Sequence, residues 1–173
     1  MLQIATSFYE PDKLTFYNVV LFVHISAAVA AFGGLFGYGV VAAILTRPDQ
    51  RRHVPFWHRV QRELGNKVIT PGAIVLLIAG IYLAAAGNYG FSDAFVGVGI
   101  VVVVVLLGLG HGFFGPTELR AAKAAERDIA AAGTGEVTLG PEYQALAKRL
   151  AGVGIAANVL VLVAIFIMVM KPL

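Results

Sequence analysis

The chain is expected to fold as an all-α integral membrane four-helix bundle with short amphipathic cytoplasmic helices. Three observations predict this. Four windows contain no Asp, Glu, Lys or Arg: Leu14 to Thr46, Val68 to Ser92, Ala94 to Thr117 and Leu150 to Met170. A helix needs only about 20 apolar residues to cross a bilayer. Charged residues make up 13% of the chain, against about 25% in a soluble domain, and they lie between the windows. The basic residues are also sorted. Arg47, Arg51, Arg52, Arg59, Arg62 and Lys67 fill the first loop, and Arg120, Lys123, Arg127, Lys148 and Arg149 fill the third, leaving only Lys13 and Lys171 on the other side. By the positive-inside rule both long loops face the cytoplasm and both termini lie outside, in a bacterial-type inner membrane.

The 173 residues suit one domain, 1–173, with spans at about 17–45, 69–86, 94–115 and 150–171. The pI of about 9.3 does not point to nucleic acid. Topology and the anionic headgroups of the lipid bilayer account for the basic excess. With no cysteine, disulfides, iron–sulfur clusters and thiolate metal sites are excluded.

The elements follow in order. Residues 1–16 read as a short polar external segment in which Glu10-Pro11-Asp12 breaks any early helix. Ala28-Val29-Ala30 resembles a signal cleavage site. However, a basic n-region is missing, and the apolar run continues to Leu45, past the ~7–15 residues of a signal core. The first span is longer than a bilayer needs, so it should tilt or bend at Gly33-Gly34 and Gly37. In the first loop, Pro55 to Leu64 reads as an interfacial helix with Trp57, Val60 and Leu64 on its apolar face. The second span starts near Thr70-Pro71, and the short Gly87-to-Gly90 connection makes spans two and three antiparallel neighbours. Val101 to Val105 would be a strand in water but must be helix in lipid. Gly115-Pro116-Thr117 is expected to end or kink the third span. Glu118 to Ala132 reads as a surface helix with Leu119, Ala122, Ala125 and Ile129 on one face. Gly133-Thr134-Gly135 interrupts it, and Pro141-Glu142 starts a helix that feeds into the fourth span. Gly33 and Gly37, and Gly108 and Gly112, have the four-residue spacing that lets membrane helices pack closely. Together with the amphipathic loop segments, these glycines suit a homo-oligomer or a membrane-complex partner.

With charge absent from the spans, the informative residues are the polar groups left in hydrocarbon: His24, Tyr38, Tyr82, His111 and Asn158. His24 leads. It lies about 10 Å below the external end of its helix, on a face that continues through Ala27, Ala28, Ala31 and Leu35. A bulky planar ligand fits against such a small-residue face with the imidazole as axial ligand. The alternative is a neutral structural histidine bonded to another helix, for example to Tyr82 at similar depth. His111 lies ~6 Å from the cytoplasmic end of its helix, so it and His24 are separated by ~14 Å in depth and cannot ligate one iron. His111 is either an interfacial structural residue or part of a second site with Asn158 or Tyr38. His53 and His58 are five apart, which misses the helical i, i+4 register, and read as solvated. Met168 and Met170 fall on different helix faces and make no copper cluster.

The stretch Arg62-Glu63-Leu64-Gly65-Asn66-Lys67-Val68-Ile69-Thr70-Pro71, running into Gly80, resembles the loop and second helix of HemJ-type protoporphyrinogen oxidases. His24 before a Gly-rich half-helix resembles that family's haem-associated histidine, and Met168-Val169-Met170-Lys171-Pro172 is similar to its C-terminal signature. The longer third loop looks more like related four-helix predicted integral membrane proteins, and the copper-resistance D proteins share the outline. The resemblance implies haem b on His24 and puts Arg62 at the family's basic position before Thr-Pro; Tyr82, at a depth similar to that of His24, is the residue expected near the cofactor. It implies an oxidoreductase role. The family's third-helix lysine has no counterpart, since no charge lies between Asp93 and Glu118, so no oxidase reaction is carried over. The competing readings are a non-enzymatic membrane component in transport, metal tolerance or complex assembly, and a proton or small-solute pathway through His24 and His111.

Overall fold

The computed structural model describes residues 15–90 and 93–171. The expected external segment, with its Glu10-Pro11-Asp12 break, lies outside the described residues. Among those described there is helix and no strand. The helices are α1 (Phe16–Phe32), α2 (Leu35–Leu45), a 3₁₀ segment (Pro48–His53), α3 (Val54–Leu64), α4 (Thr70–Ala86), α5 (Ala94–Leu109), α6 (Gly115–Ala132) and α7 (Pro141–Met170). They join into four runs long and apolar enough to cross a membrane: Phe16–Leu45, Pro48–Ala86, Ala94–Ala132 and Pro141–Met170.

Thr15 caps α1 by accepting the Asn18 backbone N–H at 3.2 Å, the ordinary role of a threonine at this position. At the expected bend, a two-residue turn at Gly33-Gly34 separates α1 from α2, with both glycines in right-handed helical conformation. A Cβ on Gly33 would lie 2.6 Å from the Val29 carbonyl oxygen, so the turn tolerates only glycine there.

The second span does not start at Thr70-Pro71, and the third does not end at Gly115-Pro116-Thr117. The second run passes through Thr70-Pro71 and the third through Gly115-Pro116 without interruption, and each does so by the same device. A π-turn occupies Gly65–Ile69 before Pro71, and another occupies Gly110–Phe114 before Pro116. Proline has no N–H and its ring crowds the carbonyl four residues back. Inserting one residue re-routes the ladder, so Thr70 N–H reaches the Gly65 carbonyl and Gly115 N–H reaches the Gly110 carbonyl. The expected loop helices are therefore extensions of the spans. The third run stops at Gly133, whose φ of 55° is one that glycine adopts without a Cβ clash. As expected, Pro141 opens a helix that continues unbroken to Met170.

The runs pack as a bundle with two cores. At the uncharged end, Ala27, Ala31, Phe32, Ala73, Leu76, Val103 and Val161 form one cluster. There α1 and α4 approach closely, because a Cβ on Gly72 would sit 3.3 Å from that of Ala31. Gly99 likewise leaves room for Met168 of α7. The expected pairs Gly33/Gly37 and Gly108/Gly112 do not serve this packing: a Cβ on Gly37, Gly108 or Gly112 would meet nothing within 4 Å. The second core lies at the basic end, where Val54, Ala125, Val137 and Leu139 are buried together. Arg51 donates to the Val137 carbonyl at 2.9 Å, and Arg52 donates to those of Gly133 and Gly135 at 2.8 Å. These two cations fasten the 133–139 connection instead of facing lipid.

Candidate functional site

His24 sits in the α1–α4 seam. Its Nδ1 lies 3.0 Å from the Leu76 carbonyl oxygen, so Nδ1 carries the proton and donates. Gly80, one turn further along α4, makes the space: a Cβ there would lie 2.9 Å from the imidazole Cε1. The sequence thus sets a polar ring against a glycine gap and a carbonyl in an otherwise apolar interface. Nε2 is left as the unprotonated nitrogen with its lone pair available. That is the arrangement in which histidines bind metal, since the bond from the other nitrogen fixes tautomer and ring orientation. His24 itself is half-buried.

The other expected residues are not gathered around it. Tyr82 packs edge-on against Phe16, with centroids 5.4 Å apart; the imidazole bonds the Leu76 backbone, not the Tyr82 hydroxyl. His111 lies in the second π-turn and is exposed, with Nε2 3.4 Å from Thr70 Oγ1. Its partner is therefore neither Asn158 nor Tyr38. Tyr38 packs edge-on against Trp57 at 5.8 Å. Asn158 is half-buried, and its Oδ1 has no hydrogen-bond partner among the described residues. Arg62 is exposed on α3.

A second polar cluster went unrecognised in the sequence. His58, expected to be solvated, is 6% exposed, as is Glu118. Its Nδ1 pairs with Glu118 Oε2, and its Nε2 lies 3.3 Å from the Tyr143 hydroxyl. Tyr143 precedes the charge-free run that starts at Leu150, and burial, reinforced by the Glu118 carboxylate, pushes its pKa up to about 12. The phenol therefore keeps its proton and donates to Nε2, while Nδ1–H donates to the carboxylate. Both ring nitrogens are used, so His58 is a bridge among α3, α6 and α7 and has no lone pair to offer a metal. The reason it was misread is a rotated helix face. α3 buries Val54, Pro55 and His58, not the expected stripe of Trp57, Val60 and Leu64. The legible signal was on α6, where Glu118 shares a face with Ala121, Ala122 and Ala125, all of them buried. A carboxylate on a stripe of small apolar residues needs a buried partner.

Among the described residues no group of three or more His, Asp or Glu side chains could hold a metal ion.

No curated protein and no solved structure matches the chain. Residues 18–172 match the family described as "Predicted integral membrane protein (DUF2269)", a match that takes in all four apolar runs but for Phe16 and Tyr17, and the chain belongs to that family.

Proposed function

We propose that this integral membrane protein binds haem b through His24 in a redox role similar to that of HemJ-type proteins. The observation that carries the reading is the Nδ1 bond to the Leu76 carbonyl across the Gly80 gap, which leaves Nε2 without a hydrogen-bond partner among the described residues. The residues present would hold the group through one nitrogen, His24 Nε2. His111 does not supply a second, because it is exposed and pairs with Thr70. When bound, the group would supply one-electron chemistry. The chain's own part is to hold the His24 ring in one tautomer, to keep the surrounding seam apolar through Ala27, Ala31 and Leu76, and to set Tyr82 two residues beyond the Gly80 gap.

The basic end is assigned to the cytoplasm of a bacterial-type cell membrane and both termini to the outside. The support is the gathering of all but two of the lysines and arginines at that end.

The visible spectrum of the purified protein tests the cofactor. A Soret band is expected in the wild type, and His24→Ala should abolish or shift it. A colourless protein that stays colourless after haem reconstitution would sink the reading. That result would favour a non-enzymatic component in transport, metal tolerance or assembly, in which the His24–Leu76 bond serves only to fasten α1 to α4.

A further inference from the structure

Leu76 and Gly80 stand four residues apart on α4. In an α-helix each carbonyl bonds the N–H four residues further on, so the Leu76 carbonyl already accepts from Gly80. It accepts a second bond from His24 Nδ1, 3.0 Å away on another helix. A carbonyl oxygen has two lone pairs and can serve both donors. Access is the obstacle. Side chains on a helix lean toward its N-terminus and cover the turn before their own Cα. The side chain at position 80 is therefore the one that would screen the Leu76 carbonyl, and glycine leaves it bare.

The space is occupied by the histidine itself. A Cβ on Gly80 would lie 2.9 Å from His24 Cε1 and 3.4 Å from Nδ1, against the ring edge that meets the carbonyl. Carbon atoms pack comfortably at about 3.5–4.0 Å, so the imidazole would have to move off. Gly72, two turns earlier on α4, supports the same contact. A Cβ there would lie 3.3 Å from the Ala31 backbone nitrogen and 3.5 Å from the Ala27 carbonyl oxygen. α1 and α4 thus run nearly backbone to backbone beside His24.

We propose that Gly80 is a positioning residue for His24: by leaving the Leu76 carbonyl bare, it keeps the imidazole proton on Nδ1 and makes Nε2 the nitrogen presented to a ligand. The inference rests on the haem reading only for what Nε2 binds. The proton of a neutral histidine is placed by the hydrogen bonds its two nitrogens make. With a side chain at position 80, Nδ1 loses its acceptor and the tautomer protonated on Nε2 becomes populated. In that form Nε2 has no lone pair to give. A bond at the other nitrogen also orients a ligating ring and strengthens its donation, and losing such a bond costs about 10–100-fold in metal affinity.

Nitrogen NMR in detergent micelles tests this without any cofactor, because protonated and unprotonated ring nitrogens give separate signals. The chain has four histidines, and His24→Gln identifies the signals of His24. The wild type is expected to show His24 protonated on Nδ1. In Gly80→Ala that signal should be lost and an Nε2–H signal should appear, with the far-UV helix signal retained because alanine favours helix. Haem titration should give an affinity about 10–100-fold lower for Gly80→Ala. Gly108→Ala, whose Cβ would meet nothing within 4 Å, should match the wild type in both measurements. A wild-type His24 protonated on Nε2, or a His24 signal unmoved by Gly80→Ala, would overturn the proposal, as would a moved signal with unchanged haem affinity. A wild type that takes up no haem, with the His24 proton still displaced in Gly80→Ala, would sink the haem reading and uphold the positioning role.

Discussion

His24 and His58 show how little a histidine's identity says about its use. Both sit between helices, and both use Nδ1 as donor. They differ in what the second nitrogen meets. Nε2 of His58 is taken by Tyr143, which closes a carboxylate–imidazole–phenol chain, whereas Nε2 of His24 has no such partner among the described residues. The first is consequently a fastening, and the second is the nitrogen on which the proposed haem site rests. The His58–Glu118 pair carries a direct prediction. Removing one partner of a buried pair leaves the other uncompensated and costs about 3–5 kcal/mol. Glu118→Ala should therefore lower the unfolding midpoint measured in mild detergent. The exposed pair between Arg127 and Glu142, 2.8 Å apart, is worth at most about 1 kcal/mol, and Glu142→Ala should leave the midpoint nearly unchanged. Equal effects of the two substitutions would mean that His58 and Glu118 are not buried together. None of this could be taken from His58 alone. Its neighbours Trp57 and Arg59 fit an interfacial helix in either of two rotations, and only contact with α6 decides between them.

At the scale of elements, apolar periodicity and turn residues located four apolar helical runs, the helical stretch after Pro55, the helix end at Ala132 and the continuous helix from Pro141. They failed where proline was treated as punctuation. Pro71 and Pro116 lie inside unbroken runs because a π-turn two residues earlier absorbs the lost hydrogen bond. Each π-turn starts at a glycine, Gly65 or Gly110, and they are bridged by Thr70 and His111. By contrast Gly133 is a true terminator, since its φ of 55° with ψ of −121° is essentially closed to residues with a Cβ. Gly133→Ala should cost about 1–3 kcal/mol, read as a fall in thermal midpoint. Gly108→Ala, where a Cβ meets nothing, should be neutral or slightly stabilising, because alanine is the better helix former. If the two substitutions behaved alike, the backbone at Gly133 would not be as described.

For the whole molecule, the consequence of unbroken helices is height. The second and third runs are each 39 residues long, about 58 Å as α-helix against a hydrocarbon core of about 30 Å. The bundle thus stands well clear of the bilayer at one end, and that part has its own core around Val54, Ala125, Val137 and Leu139. The orientation of this projection is testable. Cysteines introduced at exposed Lys123 and Thr138 should react with an impermeant maleimide only in inverted vesicles. One introduced at exposed Asn88 should react only in right-side-out cells. The opposite pattern would invert the assigned topology while leaving the fold untouched.

The sequence by itself determined the fold class, the number of spans, their order and the side on which charge collects. These follow from one-dimensional terms: the cost of placing a charge in hydrocarbon and the need of every backbone group for a partner there. It also singled out His24, because a polar group amid alanines is visible without coordinates. Tertiary structure alone decided what each polar group touches. The Leu76 carbonyl and the Gly80 gap lie on another helix, 52 residues away in the first case, and the Glu118–His58–Tyr143 chain joins three helices. It also decided that Gly37 is open and Gly80 filled, although both are glycines in apolar runs. Helix rotation and packing set those outcomes, and a rotation of one residue, about 100°, moves a side chain from core to surface without changing a letter of the sequence.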